Sequence, residues 1–175
     1  MIGYSKLKEQ GKLVRSEYLT IIDFSQPSSL PRLFLLNVET GKILYKTLVA
    51  HGKNSGRMLA QSFSNKESSL ESSPGFYITD ETYIGKKGYS LKLKGCEKGF
   101  NDNAYRRGIV MHGADYVSEN FIKTNGFLGR SHGCPAVPTG LNKKIIDVIK
   151  GGSCMFIYFP NEKYLCGSPL LDEAS

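Results

Sequence analysis

From residue 18 the chain runs Tyr-Leu-Thr-Ile-Ile-Asp-Phe, β-branched and aromatic, and this pattern predicts a strand over 18–24. The polar, lysine-rich segment before it, 5–14, is expected to form a short helix. Ser, Gln and Pro punctuate 25–31, after which 32–39 and 42–50 have the pattern of a hairpin turning at Thr40-Gly41. Further strands are expected at 75–80, 89–94, 108–112 and 153–159. A short helix fits 115–123, with a turn at Asn125-Gly126. A second fits 141–150, where Leu141, Ile145, Ile146 and Ile149 share one face and Gly151-Gly152 ends the run.

Between these elements, residues 51–75 are rich in Gly, Ser and Asn with no period of 2 or 3.6, as in a long surface loop. Loops of that length within a compact domain usually serve function. No repeat, heptad or linker divides the chain, and 175 residues suit one core, so the pattern predicts a single, mainly β domain with a few short helices.

Composition narrows the class. Apolar residues at 40% and charged residues at 22% describe a globular protein, and no apolar run is long enough for an integral membrane segment. A net charge of +7 draws the protein toward polyanions, but its lysines are dispersed and form no polybasic nucleic-acid motif, so no nucleic acid partner is expected. Cys96, Cys134, Cys154 and Cys166 are too irregularly spaced for a disulfide framework; Cys154 with Cys166 would be a candidate pair in an exported protein, and Cys154 equally fits a core strand. The N-terminal residues do not have the pattern of a signal peptide, so the chain is either cytosolic or a form whose leader has been removed. Nothing in the chain specifies an oligomeric state.

The chemistry concentrates in Ile109-Val110-Met111-His112-Gly113 and Gly129-Arg130-Ser131-His132-Gly133-Cys134-Pro135. A predicted strand end delivers His112, and a glycine-punctuated loop delivers Cys134. A free thiol is only a few per cent thiolate at neutral pH, so a nucleophilic cysteine needs a base or cation nearby, and His112 is a candidate. Gly133 and Pro135 suit a backbone bent sharply around an exposed sulfur, with the Gly133 and Cys134 amides placed for an oxyanion. The orienting group for the imidazole is either Asp115 or a backbone carbonyl near Gly113. A zinc reading from His112, His132, Cys134 and His51 competes but lacks paired ligand spacing; no metal and no cofactor are expected.

With Ser131-His132-Gly133-Cys134 preceded by His112-Gly113, the chain resembles the L,D-transpeptidase (YkuD-type) catalytic domain, in particular the murein L,D-transpeptidase subfamily with its Gly-Arg-Ser-x-Gly-Cys-Pro-Ala pattern at 129–136. Segments 19–25, 49–56, 63–65, 72–79 and 85–93 are similar as well, so the resemblance covers most of 17–159. It implies a β-sandwich-like catalytic domain over 17–160, leaving 1–16 as an N-terminal helical extension and 161–175 as a C-terminal tail. It further implies that Cys134 attacks peptidoglycan tetrapeptide stems, releases D-alanine through a thioester and forms 3-3 cross-links, with His112 as base and the Gly113 carbonyl as its orienter. With water as acceptor the same site would be an L,D-carboxypeptidase; a non-catalytic wall-binding module is the remaining alternative. Ser131 and His132 are candidate substrate-binding residues. The family usually has an arginine two positions after the cysteine, where this chain has Ala136, so Arg130 and Arg107 become the candidates for binding the donor carboxylate. His51 is a further candidate for substrate contact. The implied substrate places the protein in the periplasm or cell wall, exported by a leader not present in this chain.

Overall fold

The computed structural model describes residues 1–172. Its strands are β1 (Tyr18–Asp23), β2 (Leu33–Asn37), β3 (Lys42–Thr47), β4 (Gly75–Gly85), β5 (Gly88–Gly95), β6 (Val110–Gly113), β7 (Ala136–Val137) and β8 (Cys154–Tyr158). The helices are α1 (Ile2–Glu9), α2 (Glu119–Asn125), α3 (Thr139–Ile149) and α4 (Glu162–Gly167). All eight strands form one sheet in the order β3-β2-β1-β8-β4-β5-β6-β7, and a bridge between Ala50 and Ala136 ties its two ends into a near-barrel. The mainly β domain with short helices is therefore present, built from one curled sheet.

Strand alternation explains its two packed faces. Along β1, Ile22 joins the main core while Leu19 and Ile21 face a second cluster; along β8, Met155 and Ile157 face the main core while Cys154 and Phe156 face the second. In β4, Tyr77 and Phe76 divide the same way. On the main-core side lies α3, whose Ile145, Ile146 and Ile149 are fully buried. On the other side Tyr4 and Leu7 of α1 pack with Leu170, so both chain ends cover the centre of the sheet.

A buried carboxylate fixes the C-terminal end. Glu97 accepts from the Phe76 amide at 2.7 Å, the Tyr164 hydroxyl at 3.0 Å and the Ser168 hydroxyl, and burial raises its pKa. Several boundaries differ from the sequence pattern. The first helix begins three residues earlier than expected, β4 continues to Gly85 past a bulge between Thr79 and Thr82, and β7 and α4 were not expected. All four cysteines are unpaired, with Cys154 buried in β8 and Cys166 exposed on α4.

Candidate active site

Met111 of β6 points into the main core, so its neighbours Val110 and His112 point the opposite way, and both line a cleft of about 430 Å³. The parallel pairing of β6 with β7 sets His112 opposite Ala136, two residues beyond Cys134. Strand register thus brings the histidine and the cysteine, distant in sequence, into one cleft. Its remaining walls are Tyr83, Lys86, Lys87, Gly108, Tyr116, Arg130, Ser131 and His132.

The Cys134 thiol is half-buried; it accepts from the Val110 amide at 3.5 Å and donates to the Gly108 carbonyl at 3.7 Å. Burial pushes its pKa up, and the Val110 amide and the charges of Arg107 and Lys87 offset part of that rise. His112 is buried, with Nδ1 2.9 Å from the Gly113 carbonyl. A carbonyl only accepts, so Nδ1 carries the hydrogen and Nε2 is left as the basic nitrogen. Burial lowers the imidazole pKa, the Gly113 bond opposes this, and Lys87 adds to it. Asp115 is exposed and takes no part in orienting the ring. At rest the cleft therefore holds a neutral thiol and a neutral imidazole, a state suited to general-base activation rather than to a preformed thiolate.

The loop that carries Cys134 is held from three directions. Within it, the Ser131 hydroxyl donates to the Cys134 carbonyl at 2.6 Å and accepts from the Gly133 amide at 3.1 Å. This corrects the expected role of the Gly133 amide: it is spent inside the loop, whereas among the described residues no acceptor takes the Cys134 amide. Ser131 is buried and acts chiefly as a brace, while His132 is exposed on the cleft wall. Behind the loop, the Ser72 hydroxyl donates to the Gly133 carbonyl at 3.3 Å. Gly133 has φ +114°, and a Cβ there would lie 2.6 Å from the Glu71 carbonyl oxygen, so both its conformation and its contact require glycine.

The third hold is the strand extension at 50–53. Ser131 N–H donates to His51 O at 3.0 Å and Lys53 N–H to Ser131 O at 2.7 Å. His51 is not a substrate contact: it is 0% exposed, and Arg32, also 0% exposed, donates to its Nδ1 at 2.7 Å. Its other nitrogen faces the Gly56 carbonyl at 3.2 Å, so His51 carries the tautomer opposite to that of His112. Arg32 also donates to the carbonyls of Val49 and Gln26 and lies over the Phe24 ring. Burial holds Arg32 down at about 9, and burial together with Arg32 holds His51 at about 4.

Arg107 also departs from expectation. It lies outside the cleft lining and donates to the Ser64 and Glu71 carbonyls and the Ser69 and Ser73 hydroxyls, clamping the long loop behind Gly133 and Cys134. Arg130 does line the cleft, with its Nη1 3.3 Å from the carbonyls of Lys53 and Gly56 and its guanidinium 6.0 Å from the Phe127 ring centre. Lys86 and Lys87, the pair on the β4–β5 turn, are cleft residues that the sequence pattern did not single out. Among the described residues, no three His, Cys, Asp or Glu side chains gather as a metal site, and no helix is long and apolar enough to cross a membrane.

No protein of curated function matches the chain. Among solved structures, an L,D-transpeptidase from Mycobacterium smegmatis is similar, with a TM-score of 0.50 and 13% identity over 82% of this chain and 59% of its own. The helical cell shape determining protein Pgp2 from Campylobacter jejuni is similar with a TM-score of 0.52 and 14% identity over 83% of this chain and 48% of its own. The chain thus spans about half to three fifths of those proteins, and at such identity the likeness speaks to fold. A family model described as the L,D-transpeptidase catalytic domain matches residues 1–158, which include the whole cleft. The chain belongs to the L,D-transpeptidase catalytic domain family.

Proposed function

We propose that the protein is a cysteine-dependent acyl transferase that acts on peptidoglycan tetrapeptide stems, releases the terminal D-alanine and forms 3-3 cross-links. The observation that carries this reading is the convergence of Cys134 and a His112 of fixed tautomer on one cleft. In this mechanism His112 Nε2 takes the thiol proton as sulfur bonds to the stem carbonyl carbon. The Cys134 amide donates to the resulting oxyanion. Collapse breaks the C–N bond, and the leaving amine takes its proton from His112, leaving a thioester. An amine of a second stem then attacks the thioester, gives a proton to His112 and releases the thiol.

His132 and Arg130 on the cleft wall contact substrate in this reading, and Ser131 keeps the loop in shape. The family membership and the cleft support the reading; so does Gly133, whose backbone conformation and close contact with Glu71 shape the bend before Cys134. A polymer outside the cytoplasmic membrane requires the protein to act after export, in the periplasm or at the wall.

Incubation with a disaccharide-tetrapeptide and an acceptor stem, followed by product analysis, tests the function. Cross-linked 3-3 dimer is expected; tripeptide alone would make the site an L,D-carboxypeptidase. Cys134→Ala is expected to yield neither product while remaining folded, and turnover by that variant would overturn the assignment.

A further inference from the structure

β4 ends at Gly85 and β5 starts at Gly88, so Lys86 and Lys87 form the tip of a hairpin. That tip forms part of the cleft wall alongside Tyr83, with His112 and Cys134 in the same cleft. Both lysines are exposed, and among the described residues neither is in an ion pair. Their neighbours along the hairpin are different: Lys92 pairs with Glu81 at 2.6 Å and Lys94 with Asp80 at 2.9 Å. No Asp or Glu lines the cleft; Asp115 lines an adjoining pocket whose walls include both lysines, without an ion pair to either. The tip therefore brings two lysines that are in no ion pair to the cleft that holds Cys134.

Ala136 leaves the position two residues after Cys134 without a charge, and Arg130, the other cleft cation, is partly engaged with the carbonyls of Lys53 and Gly56. Ala136 stands where the resemblance leads one to expect an arginine, is 0% exposed, and bridges Ala50, so the position supplies neither charge nor space for it. Arg107 is occupied by the loop behind the nucleophile. A peptide donor ending in a free α-carboxylate presents that group one residue beyond the attacked carbonyl, about 3.8 Å along the chain between α-carbons. A cation serving it must lie within a side chain's reach of the sulfur. Lys87 is close enough for its charge to act on both Cys134 and His112.

From these observations we infer that the β4–β5 turn is the carboxylate subsite of the cleft, in which Lys87, assisted by Lys86, receives the α-carboxylate of the residue that leaves the donor. The inference rests on the acyl-transfer reading for the identity of the ligand, but the charge preference of the cleft can be measured without any turnover. A lysine tip also gives specificity: it favours stems with a free terminal acid over amidated ones, because desolvating an unpaired ammonium for a neutral group has no compensation.

The probes are iodoacetate and iodoacetamide, which alkylate the same sulfur and differ in carrying a carboxylate or a neutral amide beside the attacked carbon. Rates at Cys134 and at exposed Cys166 are followed by peptide mass mapping, and the iodoacetate-to-iodoacetamide ratio cancels changes in thiolate content. The ratio at Cys134 is expected to exceed that at Cys166 and to fall by about threefold or more in Lys87→Ala and in the Lys86→Ala, Lys87→Ala double variant. Lys87→Arg is expected to retain it, and added salt to reduce it. A ratio at Cys134 that the double variant leaves unchanged would overturn the inference. Since alkylation requires only a thiol, that result would leave the acyl-transfer reading standing. Absence of stem acylation alongside the expected ratios would reject the acyl-transfer reading and leave the anion subsite intact.

Discussion

Cys134 and His112 are each made less ionisable by the burial that positions them, and this sets the pH dependence of the site. The imidazole must be neutral to accept the thiol proton, and burial lowers its pKa below the ordinary 6.5. Activity should therefore rise with pH through a midpoint below 6.5, then stay level until the thiol itself ionises above its ordinary 9.0. The pH profile of Cys134 acylation checks this; an acidic midpoint above 6.5 would mean that His112 is charged near neutrality and that the pair works as an ion pair. Cys134 and His112, which share the cleft, were both legible as candidates because glycine and proline around a cysteine make poor core. The orienting carbonyl of Gly113 was only one of two options, since a backbone acceptor leaves no side-chain signature. The Gly133 amide was misjudged because sequence does not reveal that the Ser131 hydroxyl, two residues earlier, accepts from it.

At the scale of elements, the long loop 51–75 supports the Gly133–Cys134 segment from behind. Arg107 makes four hydrogen bonds to Ser64, Ser69, Glu71 and Ser73, and the loop in turn offers the Ser72 hydroxyl and Glu71 carbonyl to Gly133. Arg107→Ala is expected to cost about 2–4 kcal/mol and to speed amide exchange across the loop. Unaltered exchange at residues 64–73 in that variant would show that the clamp is not needed. An arginine near a cysteine motif invites a ligand-binding reading, and only the path of the loop reveals that carbonyls and hydroxyls use it first. The hairpin tip was missed for a related reason. The expected strand ended at Asp80 because a bulge breaks the alternation there, and the outer part of β4, largely exposed, has no apolar face to declare it. Residues 136–137 form too short a strand to show a period, yet their pairing with β6 brings the site together.

In the whole molecule the cleft lies at the β6–β7 end of a curled sheet, while α1 and Leu170 pack over the sheet's centre on the face away from the main core. The alternating apolar strands and the face of α3 were legible; the closure between Ala50 and Ala136 was not, because a single bridge has no sequence pattern. Arg32 was equally hidden, a charge immediately before β2 that turns out to be the largest fully buried side chain among the described residues. Its contact with His51 has a global consequence. His51 is held neutral at about 4 in the folded state, against 6.5 when unfolded. Folding stability from this group is complete above pH 6.5 and declines as pH falls toward 4, because the unfolded chain takes the proton first; the loss amounts to about 3 kcal/mol. Buried Glu97, with its pKa raised from 4.5, works in the opposite sense over a window that begins at 4.5 and extends upward, overlapping that of His51. Denaturant titrations of the wild type and His51→Gln between pH 7 and 4 separate the two: the variant should lose the decline in stability on acidification and keep the opposing trend of Glu97. An identical slope in both would show that His51 is already accessible to protons in the fold. Acyl transfer through the sulfur is read out by intact mass spectrometry of reduced protein with a disaccharide-tetrapeptide. An adduct of the stem less D-alanine is expected, mapped to Cys134 and absent in Cys134→Ala; no adduct on a thiol shown to be reduced, or one mapped to another residue, would contradict a Cys134 thioester.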